Sequence, residues 1–236
     1  MENVQLGIYN LSYDDVNSFA YLQEHIYPNM YKNYYWSNEF CAYYYIAQAK
    51  AGFIAVTDTY EGEEFLLPEI QFRYALLDFK DLHISKKVSK RIQKDQLHIV
   101  IDNNIEEIAQ QINASYKNSW LSEKYCQMLR ATEGIDRNFK VITVYIEVQG
   151  DIVAGEIGYI IGKSYTSLSG FSSKLKVHRN CGTAQLVLLA QYLQEQGFAF
   201  WNLGQPYMDY KLALGAKVYD RKVFLQRWFG AIEEVL

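Results

Sequence analysis

Residues Lys140–Phe171 read KVITVYIEVQG, DIVAGEIGYIIG and KSYTSLSGF. These three runs are rich in β-branched and aromatic residues, and they join at Gly150-Asp151 and Gly162-Lys163. Glycine beside a polar residue between two such runs is a hairpin signal, so the stretch predicts an antiparallel meander. The loop SSKLKVHRNCG follows, then an apolar helical run, TAQLVLLAQYLQEQ, closed by Gly197. The short run FAFWN then returns as a strand, followed by NLGQP and the helix-like YMDYKLALGA. AKVYDRKVFLQRWFG reads as an extended segment followed by further helix or strand.

Upstream, Tyr43, Tyr44, Ile46, Ala47 and Lys50 predict a helix ending at Gly52, followed by the strand FIAVTD. YEGEEF reads as a turn, and LLPEIQFRYALLDF as an extended segment broken at Pro68. ISKKVSKRIQK carries Ile84, Val88 and Ile92 at helical spacing with basic residues between them. LHIVID predicts a strand, with Asp102 or Asn103 capping a helix through IEEIAQQI. WLSEKYCQMLRA predicts another amphipathic helix. The expected fold is α/β (α+β): a mixed, mainly antiparallel sheet flanked by helices, preceded by a small aromatic-rich unit. The expected division is residues 1–80 and 81–236.

The chain has 236 residues, half of them hydrophobic, which is enough for a substantial core and excludes a disordered protein. Twenty-one tyrosines suit half-buried surfaces and clefts, because the ring is apolar and its tip is polar. A net charge of −4 excludes a globally basic nucleic-acid binder but leaves room for a local basic patch. The three cysteines are far apart and the histidines show no ligand spacing, so no metal is expected and a reducing cytoplasm is. The start MENVQLGIYNLSYDD has no leader pattern, and no apolar run reaches the ~18 residues of a membrane span.

Several residues carry candidate chemistry, each with a plainer alternative. Lys86, Lys87, Lys90, Arg91 and Lys94 form the one dense positive cluster, fit for phosphates or simply a solvated helix face. Tyr165, Ser167, Ser169 and Phe171 alternate along one strand and so share a face, either toward a cleft or toward packing. Glu156 lies mid-strand, where an exposed position is the plain reading and a general base the other.

VHRNCGTAQLVLLAQYLQEQGF resembles the central motif of GNAT-type acyltransferases. In that family an Arg/Gln-x-x-Gly-x-Gly/Ala loop at a helix N-terminus binds a pyrophosphate, and Arg179, Gly182 and Ala184 match it. Over roughly residues 40–227 the chain is also similar to the leucyl/phenylalanyl-tRNA–protein transferases, which have a GNAT-like catalytic domain. The similarity runs in order through ISKKVSKRI, SWLSEKYCQMLRA, the strand pair VYIEVQGDIVAGEIGYIIGKSYTSLSGFS, GTAQLVLLAQYLQEQGFAFWN and YKLALGAKVYDRKVFL. The chain departs where the family has Asp-Cys-Gln and it reads Asn202-Leu203-Gly204-Gln205. The family's pocket glutamate falls at Leu168, and its tryptophan pair near Glu69-Ile70.

The resemblance implies transfer of a Leu- or Phe-like residue from charged tRNA to the N-terminal amine of an acceptor protein, as in N-degron tagging. It implies no cofactor beyond the aminoacyl-tRNA. Gln205 and Asn202 would be catalytic, with Gly204 offering backbone donors. Ser169, Phe171, Tyr165 and Trp120 would contact the substrate, Trp120 by stacking on the terminal adenine. The basic helix, Arg179 and Gly182 would meet tRNA phosphates. Two alternatives stay open: an acyl-CoA-dependent N-acyltransferase using Arg179–Ala184, and a non-catalytic binder of tRNA or peptide.

Overall fold

The computed structural model describes residues 8–234; the start MENVQLG, read above for a leader, lies outside the described residues. The chain begins with β1 (Tyr9–Asn10), α1 (Tyr13–Asn17), α2 (Phe19–Tyr21), β2 (Tyr35–Trp36) and α3 (Ala42–Lys50). A hairpin of β3 (Ile54–Tyr60) and β4 (Glu63–Glu69) follows, then β5 (Arg73–Leu77). Next come α4 (Lys86–Asp95), β6 (Val100–Asp102), α5 (Ile105–Ser115) and α6 (Glu123–Arg130). The meander is β7 (Phe139–Val148), β8 (Asp151–Ile161) and β9 (Ser164–Ser172). The chain then forms α7 (Cys181–Glu195), β10 (Phe200–Asn202), α8 (Asp209–Ala213), β11 (Lys217–Asp220) and α9 (Arg221–Ile232).

The main sheet runs β11-β5-β10-β9-β8-β7-β6. Within this sheet β9 and β10 are the parallel pair, because α7 carries the chain from one end of the sheet to the other between them. Helices cover both faces. One face packs Tyr44, Tyr125, Tyr159, Phe224 and Trp228 beneath α3, α5, α6 and α9. The other packs Ile142, Val187, Leu189 and Trp201 beneath α7, with Val88 of α4. The expected mixed, mainly antiparallel architecture is therefore present, with the long helix between the parallel pair.

Several local expectations change. Pro68 does not break the extended segment: it sits inside β4 opposite Ala55, and the strand continues to Glu69. The N-cap of α5 is Asn104, not Asp102 or Asn103; the Asp102 carboxylate instead accepts bonds from the Asn104 amide, Thr143 and Tyr145. Trp120 precedes α6, whose N-cap is Ser122, so it stands in a loop and not on the helix. β5 lies before residue 80, yet it is hydrogen-bonded between β10 and β11, so the main sheet draws on both sides of that position.

The simple alternation along β9 also fails. Ser169 pairs with Ile157 and Ser167 with Gly158, leaving Leu168 as an extra residue in a β-bulge. Beyond the bulge the two faces exchange. Tyr165 therefore packs on the α7 side of the sheet, while Phe171 packs on the opposite side.

Arg221, at the start of α9, is 1% exposed. Its guanidinium donates to the backbone carbonyls of Ile26, Tyr27, Asn29, Lys32, Ile70 and Gln71. It thereby supplies donors to a loop that has no strand partner to satisfy it.

Candidate active site

β10 pairs with β9 over three residues, Phe200–Asn202 against Ser164–Thr166, and then stops at Asn202 while β9 runs on to Ser172. The parting strands open a cleft of about 610 Å³. β8 and β9 form one wall, the first turn of α7 a second and α8 a third; Trp120 and Tyr116 close the far side. A crevice at the ends of strands that stop pairing is where α/β folds place ligands.

Glu156 lines this cleft and is 4% exposed, so the plain reading of an exposed strand position is corrected. One carboxylate oxygen accepts from Tyr165 (2.8 Å) and Ser167 (2.7 Å), and the other from the Gln185 amide (3.2 Å). The Trp201 indole donates to Ser167 Oγ at 2.8 Å, which fixes that hydroxyl from behind. Burial pushes the Glu156 carboxyl upward, while the three donors and the Lys211 charge pull it back. A carboxylate has about four acceptor positions, so one remains on the oxygen that meets Gln185.

Gly158 makes this cluster possible. A Cβ there would lie 2.2 Å from the Tyr165 hydroxyl, so only glycine lets the tyrosine cross β8 to reach Glu156.

Lys211, on α8, also lines the cleft and is 5% exposed. Its ammonium donates to the carbonyls of Leu203 (2.5 Å) and Gln205 (2.7 Å). It thus closes the NLGQP turn from the cleft side. Burial pushes this lysine down to about 8, against the pull of the Glu156 charge.

The residues expected to do chemistry divide into two groups. Ser169, Phe171, Trp120 and Gly182 line the cleft. Tyr165 lies behind its wall and acts on it through Glu156. Asn202 is 1% exposed; its amide donates to Thr166 Oγ1 at 3.3 Å and accepts from the Gly204 N–H at 3.0 Å. That places Asn202 as a turn former and leaves the Gly204 N–H already bonded. The Gln205 side chain is not among the cleft-lining groups and donates to Glu69 (2.8 Å) and Tyr34 (3.2 Å). Glu69 also accepts from Asn33 at 2.7 Å, so this second buried cluster is internally matched.

Of the basic helix, Lys86, Lys87, Lys90 and Lys94 are exposed. Arg91 turns inward, pairing with Asp95 at 2.8 Å and donating toward Cys181 Sγ at 3.5 Å. Cys181 is the first residue of α7, and the next two, Gly182 and Thr183, line the cleft. The positive helix and the cleft therefore meet at one helix end. Arg179 is exposed just before it. A Cβ at Gly182 would lie 2.7 Å from the Ser172 Cβ, so this turn packs directly on β9.

Glu156 and Lys211 are the buried cleft-lining side chains least visible in the sequence. A signal existed for one of them: a carboxylate between the two glycines of AGEIGY, in an otherwise apolar strand.

Among the described residues no cluster of His, Cys, Asp or Glu is placed to hold a metal ion, and no helix is long and apolar enough to cross a membrane.

A family model described as leucyl/phenylalanyl-tRNA protein transferase matches residues 76–228. Transferases of that name from Maridesulfovibrio salexigens and Rubrobacter xylanophilus are 23% and 26% identical over 163 and 161 residues. Each match takes in 67% of this chain, with 65% of the first relative and 78% of the second. The chain thus spans about two thirds of the first relative's length. Among solved structures, FemX overlaps 63% of this chain and 59% of its own at 8% identity, with a TM-score of 0.46. The C-terminal domain of a putative lysylphosphatidylglycerol synthetase from Agrobacterium fabrum overlaps 75% of this chain and 55% of its own at 16% identity, with a TM-score of 0.42.

Proposed function

Because the chain belongs to the leucyl/phenylalanyl-tRNA–protein transferase family, we propose that it transfers an amino acid from charged tRNA to the N-terminal amine of a polypeptide. The observation that carries this reading is the meeting of the basic helix α4 and the cleft at the first turn of α7. Lys86, Lys87, Lys90 and Lys94 neutralise acceptor-stem phosphates, and Arg179 adds a fifth positive group beside them. The single-stranded aminoacyl end then has a short path into the cleft. Trp120 offers a ring to the terminal base. Leu168, Phe171 and Leu186 give the amino-acid side chain an apolar wall, as a Leu- or Phe-like group needs.

In the reaction the acceptor amine attacks the ester carbonyl carbon. A C–N bond forms, the bond to the 3′-oxygen breaks, and the proton lost by the amine ends on that oxygen. The ester is already activated, so holding the two groups together supplies much of the rate and no cofactor is needed. The acceptor reacts as the neutral amine, its ammonium proton having gone to solvent. Glu156 takes, on its remaining acceptor position, the proton that the nitrogen sheds as the C–N bond forms, and returns it to the leaving oxygen. Its raised pKa suits a group that must both take and release a proton. Asn202, Gly204 and Gln205 act at one remove, by shaping the turn that Lys211 closes. Both substrates place the reaction in the cytoplasm.

Acyl-CoA chemistry at Arg179–Ala184 is less well supported, because Ser172 packs against Gly182 where a pyrophosphate groove would open. The test is transfer of radiolabelled amino acids from a full set of charged tRNAs to peptides of defined N-terminus. Labelled peptide is the expected product. No transfer from any charged tRNA, together with a thermal shift on acetyl-CoA, would overturn the reading.

A further inference from the structure

We propose that Lys211 is a catalytic residue of the transfer: its ammonium donates to the carbonyl oxygen of the ester as negative charge develops there. The assignment rests on the transfer reaction proposed above and names the electrophile in the same cleft.

Three observations support it. Lys211 lines the cleft while almost fully buried, and a buried ammonium is costly unless its charge is used. Two of its three N–H donors are fixed on the carbonyls of Leu203 and Gln205, and the third has no partner among the described residues. The fixed pair holds the nitrogen in place before substrate arrives, so no reorganisation is needed when the oxyanion forms. Finally, Glu156 lines the same cleft and its charge favours the protonated lysine.

An aminoacyl ester carries a carbonyl acceptor at the carbon the amine attacks. Lys211 offers that oxygen a donor, while the open acceptor position of Glu156 serves the attacking amine. A lysine needed only to close the turn would require no access to the cleft. The Gly204 N–H, the backbone donor of the turn beside Lys211, is committed to Asn202. As the amine attacks, the carbonyl π electrons move to the oxygen that Lys211 holds. They return when the C–O bond to the 3′-oxygen breaks, and Lys211 keeps its proton throughout.

The experiment compares wild type, Lys211→Met and Lys211→Cys, the last also after alkylation with 2-bromoethylamine, which restores an ammonium through a thioether. Wild type is alkylated in parallel because Cys41 is exposed. Melting curves establish that each protein is folded at the assay temperature. Lys211→Met is expected to lower kcat by about 10²–10³-fold, the effect of losing one oxyanion donor, with KM changed far less. Alkylation of the Lys211→Cys protein should restore kcat and move the alkaline limb of its pH profile to lower pH, since the thioether makes the ammonium more acidic. A merely structural clamp would not move that limb.

Retention of kcat within about threefold in a folded Lys211→Met protein would overturn the assignment, as would restored activity with an unmoved limb. Should the Met variant fail to fold, the alkylated protein alone decides through its limb. A wild type that transfers nothing would sink the underlying reaction, a different outcome from either.

Discussion

Lys211 makes a quantitative demand on stability that is independent of any substrate. Its ordinary value of 10.5 is pushed down to about 8 by burial, so the folded protein disfavours the charged form. Between those two values the unfolded chain binds the extra proton and the folded chain does not. Stability must therefore rise with pH across that interval, by about 3 kcal/mol if it is crossed fully. The group is almost fully buried yet lines the open cleft, so this figure is an upper bound.

Buried tyrosines oppose the trend higher up. Tyr45, Tyr74 and Tyr165 have pKa values raised well above 10, so they stabilise the fold below about pH 10 and cease to do so above it. Measurements from pH 7.5 to 9.5 avoid that region and capture about 2 kcal/mol of the lysine effect. In a chain of this size that is a rise of roughly 4–8 °C in Tm. The comparison is Lys211→Met, which leaves two carbonyls without their donor. That loss offsets the whole curve but has no pH dependence of its own. Calorimetric melts of both proteins at intervals of half a pH unit should show the gap in Tm widening toward alkaline pH in favour of wild type. Parallel curves would mean that the lysine titrates normally, and the picture of a buried, poised ammonium would be wrong.

Three further outcomes follow from particular contacts. Replacing Lys86, Lys87, Lys90 and Lys94 with Gln should weaken tRNA binding and flatten the slope of log K against log salt by roughly 3; an unchanged slope in filter binding would remove α4 from the interface. Gly158→Ala should drive Tyr165 off Glu156, costing about 3 kcal/mol in denaturant melts and at least tenfold in transfer rate; a protein of wild-type stability would contradict the crossing at β8. Arg221→Met strips donors from six carbonyls and should destabilise by at least ~3 kcal/mol in urea melts, and a change under ~1 kcal/mol would show that water replaces it freely.

What the sequence revealed and what it hid follow from the range of the forces involved. Hairpin glycines, the apolar helix before Gly197 and the strand FAFWN are local signals, and each became the expected element. The cluster around Glu156 is non-local: Tyr165, Ser167, Gln185 and Lys211 come from three further elements and meet only after the sheet forms. Lys211 looks like any exposed helix lysine, because nothing beside it in sequence announces that Leu203 and Gln205 lie above it. The bulge at Leu168 misled differently. An alternating pattern extrapolates cleanly until one residue drops out of register, after which every later side chain is assigned to the wrong face. Asn202 and Gln205 were singled out because the family resemblance has polar groups there. The folded chain instead satisfies Asn202 within its own turn and Gln205 on Glu69.

The position of β5 has a consequence for how this protein can be taken apart. Ala75 donates to the Gly204 carbonyl (2.7 Å) and accepts from the Leu203 amide (2.9 Å), so the turn beneath the cleft is held in register by a residue from the first third of the chain. Leu76 faces Asn202 on one side and Lys217 on the other. A chain beginning at residue 81 would still contain every group that lines the cleft, yet it would carry two open strand edges and a slack turn. The part that carries the cleft is thus not a transplantable module. In recombination or grafting, the strand Arg73–Leu77 must travel with it.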